Sequence, residues 1–169
     1  MENFRWDVTL SPELFDLQPP AGYIDMTGAP AGTNEELAEI TAALRTYAET
    51  SDGHYPPITR ADREHETLAT RLREQLGIPV GFESSEAATE HEAYPRYCKA
   101  KLGFNAISRI QRDNFHFGYF GESVGPADAG KVLMHWECDV GSYRVIYGDL
   151  KSEIVTGTQL RSLLQQDKK

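Results

Sequence analysis

Long apolar runs are absent from this chain. No stretch approaches the ~18–20 apolar residues that span a bilayer. The opening MENFRWDVTL has no basic region followed by an apolar segment, so no export signal is expected and the chain reads as soluble. Cysteine is scarce as well: Cys98 and Cys138 are too far apart for a CxxC redox or zinc pair. They allow one disulfide in an oxidising compartment or two thiols in a reducing one. Clustered positive charge is the third thing lacking. Lys and Arg total 17 against 26 Asp and Glu, a formal net charge of −9, and the densest basic patches, Arg96–Lys101 and Lys168–Lys169, are short. Phosphate neutralisation supplies much of the affinity for nucleic acid, so neither nucleic acid nor an anionic membrane surface is an expected partner.

What is present suits a globular protein. At 169 residues, 40% hydrophobic and 25% charged, the chain fits one domain or one domain with an appendage. Residues 1–32 stand apart from 33–169. Phe4, Trp6 and Val8 alternate with Arg5, Asp7 and Thr9, the period-two pattern of a half-buried strand. Ser11 and Pro12 then suit the cap and first position of a single turn. LQPPAGYIDMTGAPAG reads as an extended linker. A lone strand is not stable, so this one is expected to add to a sheet in the same chain or in another.

The stretch TNEELAEITAALRTYAETSDGHYPP, residues 33–57, predicts an amphipathic helix. Thr33 or Asn34 caps it, Glu35, Glu36 and Glu39 suit the positive end of its dipole, and Asp52-Gly53 stops it. Leu37, Ile40, Leu44, Tyr47 and Ala48 make one apolar stripe. A second helix is expected from Thr59 to Gly77, with Leu68, Leu72 and Leu76 inward, then an exposed acidic loop over Gly81–His91. A third covers Tyr94–Ile110, carrying Tyr97, Phe104, Ile107 and Ile110, with Gly103 costing it about 1 kcal/mol relative to Ala. From Phe115 the period falls to two. FHFGYFG, KVLMHWECD and SYRVIYG read as strands, with Val140-Gly141 at a hairpin tip and a turn at Asp149-Leu150 into a short strand, Glu153–Val155. A last helix starts near Thr158 with Leu160, Leu163 and Leu164 inward. Helices first and hairpin-connected strands later make an α+β domain with an antiparallel sheet.

Residues able to carry chemistry are present but scattered. His54, His65, His91, His116 and His135 form neither HExxH nor an H-x₃-H pair. His65 sits between Glu64 and Glu66, and His91 between Glu90 and Glu92, yet adjacent helical side chains diverge and read as a solvated polar face. On a strand, His135 and Glu137 share one face and Trp136 and Cys138 the other. The first pair could hold a divalent ion or act as acid and base, whereas an exposed sheet face is the simpler reading. Asp128, Asp139 and Asp149 could add calcium ligands, but their spacing is not that of an EF-hand loop, and Asp is expected in turns. Gly121-Glu122-Ser123-Val124-Gly125 fits G-x-S-x-G, but a strand and not a helix is expected after it, and the only later histidine is His135. It reads as a glycine-rich loop. The aromatic set Phe115, Phe117, Tyr119, Phe120, Trp136, Tyr143 and Tyr147 could stack bases or sugars, though at period two it reads as sheet packing.

Two parts of the chain resemble known families. AALRTYAETSDGHYPP, residues 42–57, resembles the end of the long N-terminal helix and the following DGxYP segment of type II secretion pseudopilins. RVIYGDL, residues 144–150, continuing KSEIVTGTQL, resembles the hairpin closing many bacterial pilin-like heads, with Gly148-Asp149-Leu150 in place of the usual Asp-Gly tip. HFGYFGESVGPADAGKVLMHWE is similar to the strand, loop and strand before that hairpin. NFRWDVTLSPELFDLQPPAGY, residues 3–23, is similar to the final segment of lipoprotein-sorting-like (LolA/RseB-like) envelope proteins. As written, the chain has neither a prepilin leader nor the membrane half of the pilin helix, so pilin-style assembly is not expected. The resemblance implies a fold and an envelope association rather than an activity.

The expectation is therefore an α+β, pilin-head-like domain over 33–169, with helices packed on a small antiparallel sheet and an appended strand and linker over 1–32. Its expected role is a non-enzymatic structural or protein-interaction module, with a protein partner or second copy bound through the sheet edge and no cofactor. The alternative is a metal-dependent enzyme or divalent-metal-binding protein using His135, Glu137 and the turn residues Asp128, Asp139 and Asp149.

Overall fold

The computed structural model describes residues 33–58, 64–79 and 89–166. The expected N-terminal strand and linker, the expected start of the second helix at Thr59–Asp62, and residues 81–88 of the acidic loop lie outside the described residues. What is described is an α+β fold. Three helices come first: α1 (Asn34–Thr50), α2 (Glu64–Gln75) and α3 (Tyr94–Asp113). Strands β1 (Gly118–Tyr119), β2 (Val132–Asp139), β3 (Ser142–Tyr147) and β4 (Ser152–Thr156) follow, and α4 (Gly157–Gln166) closes the order. The four strands form one antiparallel sheet in sequence order, as hairpin connections require.

The first helix begins where its signals put it. Thr33 accepts from the Glu36 amide while the Glu36 carboxylate accepts from the Thr33 amide, each at 3.2 Å, a reciprocal capping box. Its end lies at Asp52 and Gly53, both with positive φ, of 48° and 77°. The apolar stripe of α1 meets α3 on one side and the sheet on the other. Ile40, Leu44, Tyr47, Phe104, Ile107, Ile110, Met134, Trp136 and Ile146 belong to one buried cluster. Trp136 is fully buried at its centre, and truncation of a buried Trp to Ala costs about 3–5 kcal/mol.

Gly103 has a different role from the one expected of it. A Cβ there would stand 2.2 Å from the Glu39 carbonyl oxygen and 2.7 Å from the Ala43 Cβ. The residue that lowers the helix propensity of α3 is the one that lets α1 approach it. Arg96 pairs with Glu49 and Arg109 with Glu36 at opposite ends of this contact, so the helices run antiparallel. Packed on α3 lies α2, through Leu68 and Leu72.

The other face of the sheet carries a smaller core. Val132, Val145 and Val155 pack with Leu160 of α4, and Leu163 and Leu164 flank them. Register shifts in β2, between Val132 and Met134 and between Glu137 and Asp139, break its alternation. Val132, Leu133 and Met134 are consecutively buried because both faces of the sheet are covered: Val132 joins the smaller core, Leu133 and Met134 the larger one. Only Gly118 and Tyr119 of FHFGYFG enter the ladder, opposite His135 and Met134. Val140 and Gly141 form the two-residue hairpin tip, with Gly141 at φ 71°. Leu150 takes φ 65° in the next turn.

Candidate functional site

The end of α3 feeds directly into the most polar corner of the sheet. Asn114 donates from Nδ2 to the Glu137 carbonyl at 2.7 Å, and its Oδ1 accepts from the His116 amide at 3.0 Å. That double use of one amide carries the chain around so that His116 faces β2. Its Nδ1 lies 2.6 Å from Glu137 Oε2, while Glu137 Oε1 accepts the Gly141 amide at 3.0 Å. The Tyr143 hydroxyl is 3.4 Å from the same Nδ1. Glu137 and Tyr143 are direct cross-strand neighbours, so the hairpin supplies both of the partners of a histidine from the loop before it.

The bond from the Gly141 amide, and then that of His116, hold the Glu137 carboxyl below the usual carboxylate range. An ionised Glu137 on Nδ1 leaves His116 Nε2 as the remaining ring nitrogen, which is the orientation a proton acceptor needs. Beside it runs a shallow groove of about 450 Å³, whose lining includes Phe115, His116, Phe117, His135, Tyr143 and Arg161. Phe115 is 96% exposed there.

No family model matches the chain, and neither does any curated protein or any solved structure. The reading of the site therefore rests on its geometry.

That geometry distributes the residues singled out by sequence. His135 and Glu137 do lie on the same face of β2, opposite Val145 and Tyr143 respectively. The side-chain bonds of Glu137 nonetheless go to His116 and Gly141. The His135 ring packs against Gly118, with the Phe120 ring 6.0 Å away, and its Nδ1 is buried without a hydrogen-bond partner. Burial pushes its pKa down.

Each of the three aspartates serves its own turn. Asp128 accepts the Gly125 amide at 2.9 Å and pairs with Lys131 at 2.7 Å. The Val140 amide donates to Asp139 at 2.7 Å, and the Lys151 amide and ammonium both reach Asp149, at 3.1 and 2.7 Å. Among the described residues no group of three or more His, Cys, Asp or Glu side chains comes together as a metal site.

The remaining candidates are dispersed. His54 is exposed with Nδ1 near the Ser51 carbonyl, and His91 accepts the Ala93 amide. The side chains of Glu64, His65 and Glu66 lie outside the description. Ser123 turns back on the Phe120 carbonyl at 3.2 Å within a loop whose Val124 is buried, and the next element after it is the strand β2, not a helix. Cys98 and Cys138 are both free and pack against different clusters. Of the aromatic set, Trp136 is core and Tyr119 donates to the Pro56 carbonyl at 2.8 Å, while Tyr147 bonds Glu153. The His116–Glu137 pair escaped sequence reasoning because its members are 21 residues apart; no spacing rule joins a loop residue to a strand residue.

A second polar feature is the edge of β4, which is paired with no other strand among the described residues. The Tyr147 amide donates to the Lys151 carbonyl and the Gly157 amide to the Gly141 carbonyl, at 2.9 and 3.2 Å. Bonded pairs alternate along an antiparallel ladder. Glu153 and Val155 therefore point their backbone groups at β3, and Ser152, Ile154 and Thr156 point theirs outward. Gln159 Oε1 accepts the Thr156 amide at 2.8 Å. Ser152 and Ile154 keep the open positions, and the Ile154 side chain beside them is 55% exposed.

Proposed function

We propose that this chain is a non-enzymatic structural or protein-interaction module that meets its partner, another protein or a second copy of itself, through the β4 edge. The observation that carries this reading is the outward-facing backbone of Ser152 and Ile154 next to an exposed apolar side chain. Main-chain groups on such an edge supply affinity for an added strand, and a neighbouring side chain supplies selectivity. The edge has no proline, and its one charged residue, Glu153, is engaged by the Tyr147 hydroxyl. The polar corner at His116 supports the same reading, since its carboxylate and imidazole are engaged in fastening the hairpin tip to the end of α3. A bacterial envelope association follows from the pseudopilin-head resemblance of residues 42–57 and 144–160. A helical layer laid over an antiparallel meander is the architecture consistent with that likeness.

Sedimentation analysis and a pull-down from native extract, run in parallel on the wild type and Ile154→Lys, test the proposal. An ammonium on the edge opposes strand addition. Loss of the association with an unchanged circular dichroism spectrum is the expected result. An identical mass and identical partners for both proteins would overturn it.

A further inference from the structure

Spacings of three and four put Arg161, Leu164 and Gln165 on one side of α4, next to the side that packs Leu160 on the sheet. Opposite them stands the loop after β1, which is pinned in place. The Phe120 amide donates to the Leu133 carbonyl at 2.8 Å, and the Ser123 and Val124 amides return to the Phe120 carbonyl at 3.0 and 2.9 Å. Between these two walls runs a groove of about 500 Å³, within the ~300–1,000 Å³ of ordinary small-molecule sites. Phe120, Val124, Val132 and Leu164 make its interior apolar, and Lys131 and Arg161 also line it. It lies at the β1–β2 side of the sheet, the opposite side from β4.

The two cations are not equivalent. Lys131 is paired with Asp128 at 2.7 Å. Arg161 donates from Nε to the Gly157 carbonyl of its own helix at 3.2 Å and pairs with no carboxylate among the described residues. In a chain of net charge −9, that leaves an unneutralised guanidinium beside an apolar groove. We propose that the groove binds a small-molecule monocarboxylate with a medium-length alkyl chain, the chain lying along Phe120, Val124 and Leu164 and the carboxylate on Arg161. The guanidinium fork matches a carboxylate in shape and charge. Asp128 sets the valence. Lys131 and Arg161 against Asp128 leave one net positive charge at the groove, which balances a monoanion and not the dianion of a phosphate monoester. The alkyl chain supplies affinity through the apolar area it takes out of water, and Arg161 supplies orientation. Arg161 also borders the groove at His116, but there the Glu137 carboxylate bonded to His116 opposes an anion.

Titration of the isotope-labelled full-length chain with octanoate, octan-1-ol and acetate, followed by amide NMR, tests the site. Octanoate should shift the Phe120, Val124, Val132 and Leu164 amides along one saturating curve. Octanol and acetate, each lacking one half of the ligand, should bind at least ~10-fold more weakly. Arg161→Gln, at an exposed helix position, should weaken octanoate by ~10-fold, the usual scale for a lost charge-assisted hydrogen bond, and leave octanol unchanged. Ser123→Trp, which puts an indole into the groove from an exposed loop position, should abolish both. Equal affinity for octanoate and octanol would overturn the proposal, as would an Arg161→Gln protein that binds octanoate like the wild type. Octanoate shifts that never saturate, or that survive Ser123→Trp, would mark non-specific adsorption and overturn it as well.

Discussion

The Tyr55 hydroxyl donates to the Gly148 carbonyl at 2.5 Å, across 93 residues of sequence. Tyr55 follows α1, and Gly148 begins the turn between β3 and β4, so this bond joins the helical layer to the far end of the sheet. Its surroundings are tight. The Gly148 amide donates to the Lys131 carbonyl, and a Cβ on Gly148 would come within 2.5 Å of the Asp128 carbonyl oxygen and 2.6 Å of that of Gly125. Nearby, Tyr119 holds the Pro56 carbonyl. The His-Tyr-Pro-Pro segment is thus a clamp. Burial, reinforced by the Asp149 charge, pushes the Tyr55 pKa up to about 12.

Tyr55→Phe should therefore lower stability by about 1–2 kcal/mol, the ordinary range for a buried hydrogen bond whose acceptor is left behind. Urea denaturation measures it. A midpoint equal to that of the wild type would show that the clamp contributes only packing.

Gly103→Ala should destabilise the protein although it raises the propensity of α3. The propensity gain is about 1 kcal/mol, but the new methyl would meet the Glu39 backbone oxygen at 2.2 Å, which no rotamer change relieves. A net loss of about 1–3 kcal/mol is expected from overpacking. Thermal unfolding decides the sign, and an increase in Tm would contradict the close approach of α1 and α3.

Stability should fall with acidification well before the carboxylates titrate. Burial holds His135 below its ordinary value of 6.5, with the backbone of His116 partly offsetting the shift. The unfolded chain then takes up this proton first. The contribution of neutral His135 is complete above about pH 6.5 and shrinks as the pH drops toward its folded value. His135→Gln should flatten the dependence of Tm on pH between 7 and 5. Equal slopes in the two proteins would rule this origin out.

Chelation should change nothing. Asp128, Asp139 and Asp149 are each bonded within their own turns, and Glu137 is held by His116 and Gly141. Native mass spectrometry before and after EDTA should give one mass. Loss of a divalent ion, with a lower Tm, would instead favour the metal-binding alternative on His135, Glu137 and the turn aspartates.

Local signals carried the fold a long way. A cap at Thr33 or Asn34, the Asp52-Gly53 stop, the stripes of α1, α2 and α3, and the Val140-Gly141 tip were all legible, because each depends on contacts between residues a few positions apart. The short reach of β1 was not. FHFGYFG has the composition of a strand, yet the turn set by Asn114 claims its first residues, leaving Gly118 and Tyr119 to pair. The polar corner was half legible: alternation put His135 and Glu137 on one face, but the histidine that reaches Glu137 comes from the loop.

Over the described residues the sequence by itself determined the element types, their order, the antiparallel class of the sheet and much of the core, since periodicity, capping and turn chemistry are local properties. Only the tertiary structure decided which groups meet, Gly103 with α1, His116 with Glu137 and Tyr55 with Gly148, and it left an outward Ile154 on an edge paired with no other described strand. Those contacts depend on how close two elements come and in what register. Distances between segments remote in sequence emerge only when the whole core is packed.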